Sequence, residues 1–255
     1  MSSFDAVFNY VIVEQMAAFE TISKAVPPPR LTKHGNHSVL RFEEKTLQQA
    51  LVLKSARLIS GLQAGRRLLD TGFLQELGAI QRMLDEIDAD IMFLAGPLIF
   101  GSEEPPHQAY LDEFFSEEFD KPGDAIGSTQ ARNRVSRKKI RAYNARTYSF
   151  GDSVDKIVAV TETIEKAYSG FVHAAGGHTM DMYFGNPPRW HVSGMSGTFR
   201  HKESTDDFTN YVYRSVGSIS FVAKSMKLDD LGVHLWQVSK KVAKAAGIDL
   251  WQGTS

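Results

Sequence analysis

The sequence predicts an all-α protein, a single helical bundle of about seven helices joined by long irregular loops. Three observations carry this reading. Apolar residues recur at alternating steps of three and four through most of the chain. Capping residues open these stretches, and glycine or proline closes them. No stretch reads convincingly as a strand, which would need side chains alternating at a period of two.

Between Asp152 and Phe184 the residues Val154, Ile157, Thr161, Ile164, Tyr168, Phe171, Ala175, His178 and Met182 form one buried stripe. This stretch reads as the longest helix and as the element around which the rest is organised. Asp152 and Ser153 offer side-chain oxygens to its first free N–H groups, and Asp155 adds favourable charge to the first turn. On a second lane Glu165, Ser169, His173 and Gly177 follow at intervals of four, and Gly170 precedes His173 by three. The imidazole is thereby placed in a channel of small side chains. Glycine inside a helix costs about 1 kcal/mol relative to alanine. Either another helix or a ligand approaches the backbone beside His173, or the helix breaks at Gly176 and Gly177.

Taken in order, Ser2 or Ser3 caps a first helix with Phe4, Val7, Phe8, Val11, Ile12, Phe19 and Ile22 on its apolar face. Pro27, Pro28 and Pro29 end it, and residues 26 to 41 read as a basic surface loop. A second helix runs from Glu43 to Asp70, with Gly61 and Gly65 four apart as a close-packing device, and Thr71–Gly72 turns the chain back. A third helix carries the seam Phe73, Leu77, Ile80, Leu84, Ile87, Ile91 and Leu94 and is expected to stop at Gly96–Pro97. Away from that seam Arg82 and Glu86 sit four apart beside Asp85, Asp88 and Asp90, which reads as a solvated face unless something covers it.

Residues 97 to 127 hold a short acidic helix with proline in its first turn. A connector at 121–130 with flexible composition separates it from a basic segment containing Arg132, Arg134, Arg137, Lys138, Lys139, Arg141 and Arg146. Two readings of this contrast stay open. The acidic and basic helices neutralise each other or are solvated, or Arg134, Arg137, Lys138 and Arg141 hold phosphates of RNA or DNA. Beyond Phe184 a loop of about twenty residues, carrying Arg189, Trp190, His191, Arg200 and His201, is either a lid or a plain surface excursion. A sixth helix begins at Ser204 or Thr205, and a seventh runs from Asp229 or Asp230 to Gly247.

Composition narrows the function classes. A chain of 255 residues with 42% hydrophobic and 23% charged residues is ordinary for a globular protein, and a net charge of −1 gives no global pull toward nucleic acid or membrane. With no cysteine, disulfides and zinc–thiolate sites are excluded, and the chain suits a reducing cytoplasmic setting. No apolar run approaches the roughly 18 residues of a membrane span, and Asp5 and Glu14 stand where a signal peptide needs a basic start. Phosphate loops, dinucleotide fingerprints, nucleophile elbows and HExxH are absent. The one Glu-x-x-His pair, Glu104 and His107, straddles Pro105 and Pro106 and does not read as a di-iron ligand set. His173 and His178, five residues apart, point about 140° apart on a helix, so no metal and no cofactor is expected there. His173 remains a candidate acid–base group, and a histidine hydrogen-bonded to its neighbours is the alternative.

AIQRMLDEIDADIMFLA, with Arg82 and Glu86, and AYSGFVHAAG, with Tyr168, Ser169 and His173, resemble the two recognisable helices of a group of uncharacterised bacterial all-helical proteins, some with HEPN-like architecture. The resemblance implies that the face of Arg82 and Glu86 turns toward that of Tyr168 and His173 as a buried polar cluster, the candidate catalytic group. HEPN ribonucleases act as dimers through an arginine followed by a histidine after four to six residues. Here that spacing occurs only from Arg30 to His37, in a loop, so ribonuclease chemistry is not supported by it. Two functions remain: a HEPN-like protein binding RNA or a nucleotide, with a homodimer as the assembly the resemblance suggests, or a non-catalytic interaction or assembly module. Whether the chain is an enzyme is left open.

Overall fold

The computed structural model describes residues 4–117, 119, 121, 124, 126–129, 134–149 and 153–247. The expected caps Ser2, Ser3 and Asp152, the acids Glu118 and Asp120, Arg132 and part of the 121–130 connector lie outside them. Among the described residues the protein has nine helices and two two-stranded hairpins, so it is all-α.

Helix α1 (Phe4–Lys24) buries Val7, Phe8, Val11, Ile12, Ala18 and Ile22 and ends before the prolines. A hairpin follows where a loop was expected, β1 (Arg30–His34) paired with β2 (His37–Arg41). His34 faces His37 across a two-residue turn of Gly35 and Asn36, with Gly35 at φ +58, a backbone region open to glycine. Both strands are largely exposed, so no burial alternation marks them in the sequence.

Helix α2 (Leu47–Thr71) starts four residues later than expected. Thr46 accepts from the Gln49 N–H, and the Gln49 side chain accepts from the Thr46 N–H, a reciprocal cap. Gly72, at φ +76, makes the turn into α3 (Leu74–Phe100). Gly61 and Gly65 admit side chains: a Cβ at Gly65 would stand 2.7 Å from the Phe208 ring and one at Gly61 would stand 2.8 Å from Met83.

The expected stop at Gly96–Pro97 is overturned, because α3 runs through Pro97 to Phe100 and ends at Gly101. Proline lacks the N–H that would bond to the carbonyl four residues back. That carbonyl belongs to Phe93, and it accepts instead from Nε2 of the fully buried His107 at 3.2 Å. His107 sits on α4 (Pro105–Phe114), stacked on the Phe93 ring at 4.1 Å, and its Nδ1 accepts from the Glu104 N–H at 2.9 Å. The Glu-x-x-His pair is therefore a helix-start and core device.

Helix α5 (Arg137–Tyr148) is capped by Ser136, and α6 (Val154–Val172) by Ser153. The long helix expected over 152–184 is broken: α6 ends at Val172, Ala174 takes φ +48, and the chain folds back as the short α7 (Gly176–Met180) and a hairpin of β3 (Tyr183–Phe184) and β4 (Arg189–Trp190). The His178 ring then fills the side-chain space beside Gly170 and packs on Phe171 at 4.1 Å. Within α6 only Glu165 is buried. The organising element is instead α3, which packs against α2, α5, α6 and α8.

Helix α8 (Phe199–Ser225) begins six residues before Thr205 because Thr198 accepts from the His201 N–H. The loop before it docks at the α2–α3 turn, where the Met195 N–H donates to the Gly72 carbonyl at 2.7 Å and Met195 is buried. Helix α9 (Asp229–Ala246) ends at Gly247 as expected. One hydrophobic cluster joins α1–α5, α8 and α9. No helix among the described residues is long and apolar enough to cross a membrane.

Candidate functional site

The acidic face of α3 is covered, and the solvated-face expectation fails for Asp85, Asp88 and Asp90. Asp85 and Asp88, three residues apart, look toward α8. Asp85 accepts from the Tyr211 hydroxyl and from Arg214, both at 2.9 Å. Asp88 accepts from Arg214 at 2.9 Å and from the Ser218 hydroxyl. One guanidinium thus bridges two carboxylates. Arg214 and Ser218 are four apart, which puts both on the same face of α8.

Asp90 is only 5% exposed and gathers three donors from three other helices. It accepts from Lys54 of α2 at 2.7 Å, from the Tyr110 hydroxyl of α4 at 2.8 Å, and from Arg137 of α5. Arg137 also reaches Glu165 of α6 at 4.0 Å, and Arg141 pairs with the same carboxylate. Burial, followed by the charge of Asp90, pushes the Tyr110 hydroxyl well above the usual phenol range. Burial alone would pull the Arg137 guanidinium down, but the facing acids, Asp90 first, raise it overall. Burial and then Asp85 push Tyr211 up in the same way.

Asp85, Asp88, Arg141, Glu165 and Arg214 border a cleft of about 330 Å³ between α3, α5, α6 and α8. That is near the lower end of ligand-pocket volumes, roughly 300–1,000 Å³. Its polar lining includes Asp85, Asp88, Glu165, Arg141, Arg214 and Asn144, with Thr161 beside them, and Ala89, Met92, Tyr148, Ile157 and Ile164 form apolar wall. Asn144 donates to the Ala89 carbonyl at 2.8 Å, and the Tyr148 hydroxyl donates to the Met92 carbonyl at 2.8 Å, so both side chains are pinned to α3. Asn144 Oδ1 and Arg141 Nε are buried without a hydrogen-bond partner among the described residues. Such atoms carry a desolvation cost of about 1–3 kcal/mol each unless a partner supplies the missing bond.

The residues singled out in the sequence divide. Arg82 and Glu86 pair at 2.6 Å on α3, with Glu86 43% exposed and Arg82 largely buried. Tyr168 of α6 lies against Tyr211, ring centroids 6.3 Å apart, and burial followed by the charge of Asp207 raises its hydroxyl. His173 is exposed at the C-cap of α6, where its backbone N–H donates to the Ser169 carbonyl at 3.2 Å. The expected burial of His173 with the others is corrected: the helix ends there, and the imidazole stays outside the covered face. Of the basic group, Arg137 and Arg141 turn inward, Arg134 pairs with Glu113 at 3.2 Å, and Lys138 is exposed. Their acids come from α3 and α6 as well as from the acidic α4, where Arg146 also meets Glu104 at 3.0 Å.

Asn144, Arg214 and Ser218 went unnoticed in the sequence, and Tyr211 reads there only as part of the apolar face of its helix. The available signal was an Asp–Asp step of three on α3 matched by an Arg–Ser step of four on α8, which becomes informative only once the two helices are known to face each other. Comparison of the chain with protein-family models, curated proteins and solved structures finds no match.

Proposed function

We propose that this protein binds a small organic molecule in the cleft between α3, α5, α6 and α8. The observation that supports this reading is the convergence of side chains from four helices on one cleft with a charged side and an apolar side. A fold that needed only stability gains little from such an arrangement, since replacing buried ion pairs by well-packed apolar residues is often neutral or stabilising by about 1–4 kcal/mol. Binding gives the arrangement a use, because rigid pre-placed polar groups orient a ligand at low entropic cost. Ligand-observed NMR with a fragment set tests the reading, with Ile164→Trp as the comparison. Ile164 is 45% exposed at the cleft wall, so a larger ring there narrows the space without disturbing the core. Fragments that bind the native protein and are lost in the variant support the reading; no hits, or hits unaffected by the variant, overturn it.

The nucleic-acid or nucleotide reading implied by the HEPN-like resemblance draws less support, since the guanidiniums of Arg137 and Arg141 already hold carboxylates of the chain. One observation favours a second reading, self-association without catalysis. A groove of about 440 Å³ between α8 and α9 is lined by Gly217, Phe221, Gly232, Val233 and Trp236, with Val233 62% and Trp236 42% exposed. Light scattering across a concentration series, with Trp236→Glu as the comparison, tests it: a native dimer that the variant abolishes supports self-association, and a monomer at all concentrations removes it.

A further inference from the structure

The cleft's charge arrangement carries the choice of ligand further, and this step rests on the small-molecule reading above. Three lining carboxylates, Asp85, Asp88 and Glu165, face two lining guanidiniums, Arg141 and Arg214, which leaves one net negative charge on the walls themselves; behind the wall Arg137, which reaches Glu165 at 4.0 Å, is balanced by Asp90. Both cations are already held. Arg214 is shared between Asp85 and Asp88, and Arg141 is paired with Glu165. An anionic ligand would have to displace a bonded carboxylate, and the pair of Arg141 with Glu165 is buried, where such pairs are costly to break. A cation meets the opposite situation. Among the described residues Asp85 and Asp88 divide a single guanidinium between them, supplemented by the neutral hydroxyls of Tyr211 and Ser218. Met92, Ile157 and Ile164 offer nothing to a second charge and suit a short apolar body.

We infer that the cleft takes a small organic monocation, an amine whose ammonium group meets the Asp85–Asp88 pair while its hydrocarbon part lies on Met92, Ile157 and Ile164. Lysine and guanidinium side chains of a partner protein are a poorer fit, because a volume of about 330 Å³ suits a free small molecule.

The test compares three probes of matched size, benzylamine, benzyl alcohol and benzoate, by titration calorimetry on the intact protein. The amine should bind at least about tenfold more tightly than the alcohol, a difference of about 1.4 kcal/mol, and benzoate should not bind. Asp88→Asn should weaken the amine about tenfold and leave the alcohol unchanged, with circular dichroism confirming that the variant keeps its helices. Equal affinity for amine and alcohol, or a preference for benzoate, overturns the cation inference while the small-molecule reading stands. Absence of binding by all three, or binding that persists in Ile164→Trp, overturns both.

Discussion

Asp90→Asn removes a charge and little else, and it isolates what the covered face of α3 contributes to stability. Asp90 is 5% exposed, and its carboxylate is the shared acceptor of Lys54, Tyr110 and Arg137. Removing one partner of a buried ion pair costs about 3–5 kcal/mol, because the remaining charges stay desolvated without compensation. Two features place this case at the low end. Arg137 keeps Glu165 at 4.0 Å and the Glu86 carbonyl at 3.4 Å, and the asparagine fills the same volume and still accepts one hydrogen bond. The expected loss is therefore about 3 kcal/mol. In a domain of this size each kcal/mol moves the midpoint by about 2–4 °C, so thermal unfolding should begin about 6–12 °C lower. Urea unfolding of both proteins, with Tyr110→Phe added singly and in combination, gives the coupling directly. Tyr110→Phe alone should cost about 1.5–3 kcal/mol, the range for a hydrogen bond to a charged group, and less in the Asp90→Asn background. An Asp90→Asn protein within about 0.5 kcal/mol of the native one would refute the reasoning, since that is the behaviour of a solvated surface carboxylate.

Other outcomes follow from single residues. Burial holds the His107 imidazole below its ordinary range, so the folded protein keeps it neutral while the unfolded chain takes up a proton below about pH 6.5. Its contribution is intact above that pH and is lost as pH falls toward the depressed folded value, with a slope of at most about 1.4 kcal/mol per pH unit; His107→Gln, whose amide can still reach back across the helix start, should flatten that slope in urea melts between pH 7 and 5. Gly96→Ala places a methyl group on the Tyr143 hydroxyl, itself bonded to Ser102 at 2.6 Å, and should cost about 1–3 kcal/mol by forced repacking, read from the same melts. His173→Ala, at an exposed helix end, should leave stability within about 0.5 kcal/mol, measured by thermal unfolding. A mobility-shift assay at low salt should show no retention of single-stranded RNA, because the guanidiniums of Arg137 and Arg141 are engaged within the fold; retention lost in Lys138→Ala would restore the nucleic-acid reading.

The sequence by itself determined what depends on neighbours along the chain. The apolar period of α1, α2, α3, α8 and α9, the turn at Thr71–Gly72 and the end at Gly247 all follow from steps of three and four and from glycine's freedom at positive φ. The sequence was weakest where a distant partner replaces a local one. Pro97 marks a stop in the chain alphabet, yet α3 continues because His107 satisfies the carbonyl that proline leaves free. The small-residue lane beside His173 reads as an open groove, yet Ala174 turns the chain so that His178 closes it at Gly170. Above all, Asp85, Asp88 and Asp90 are indistinguishable in sequence from a wet helix face. Whether a carboxylate meets water or a guanidinium is decided by which helices lie over it, and here Arg214 arrives from more than a hundred residues away. Periodicity tells a helix which side to bury against something; only the tertiary arrangement supplies the second surface that turns its polar side into a site.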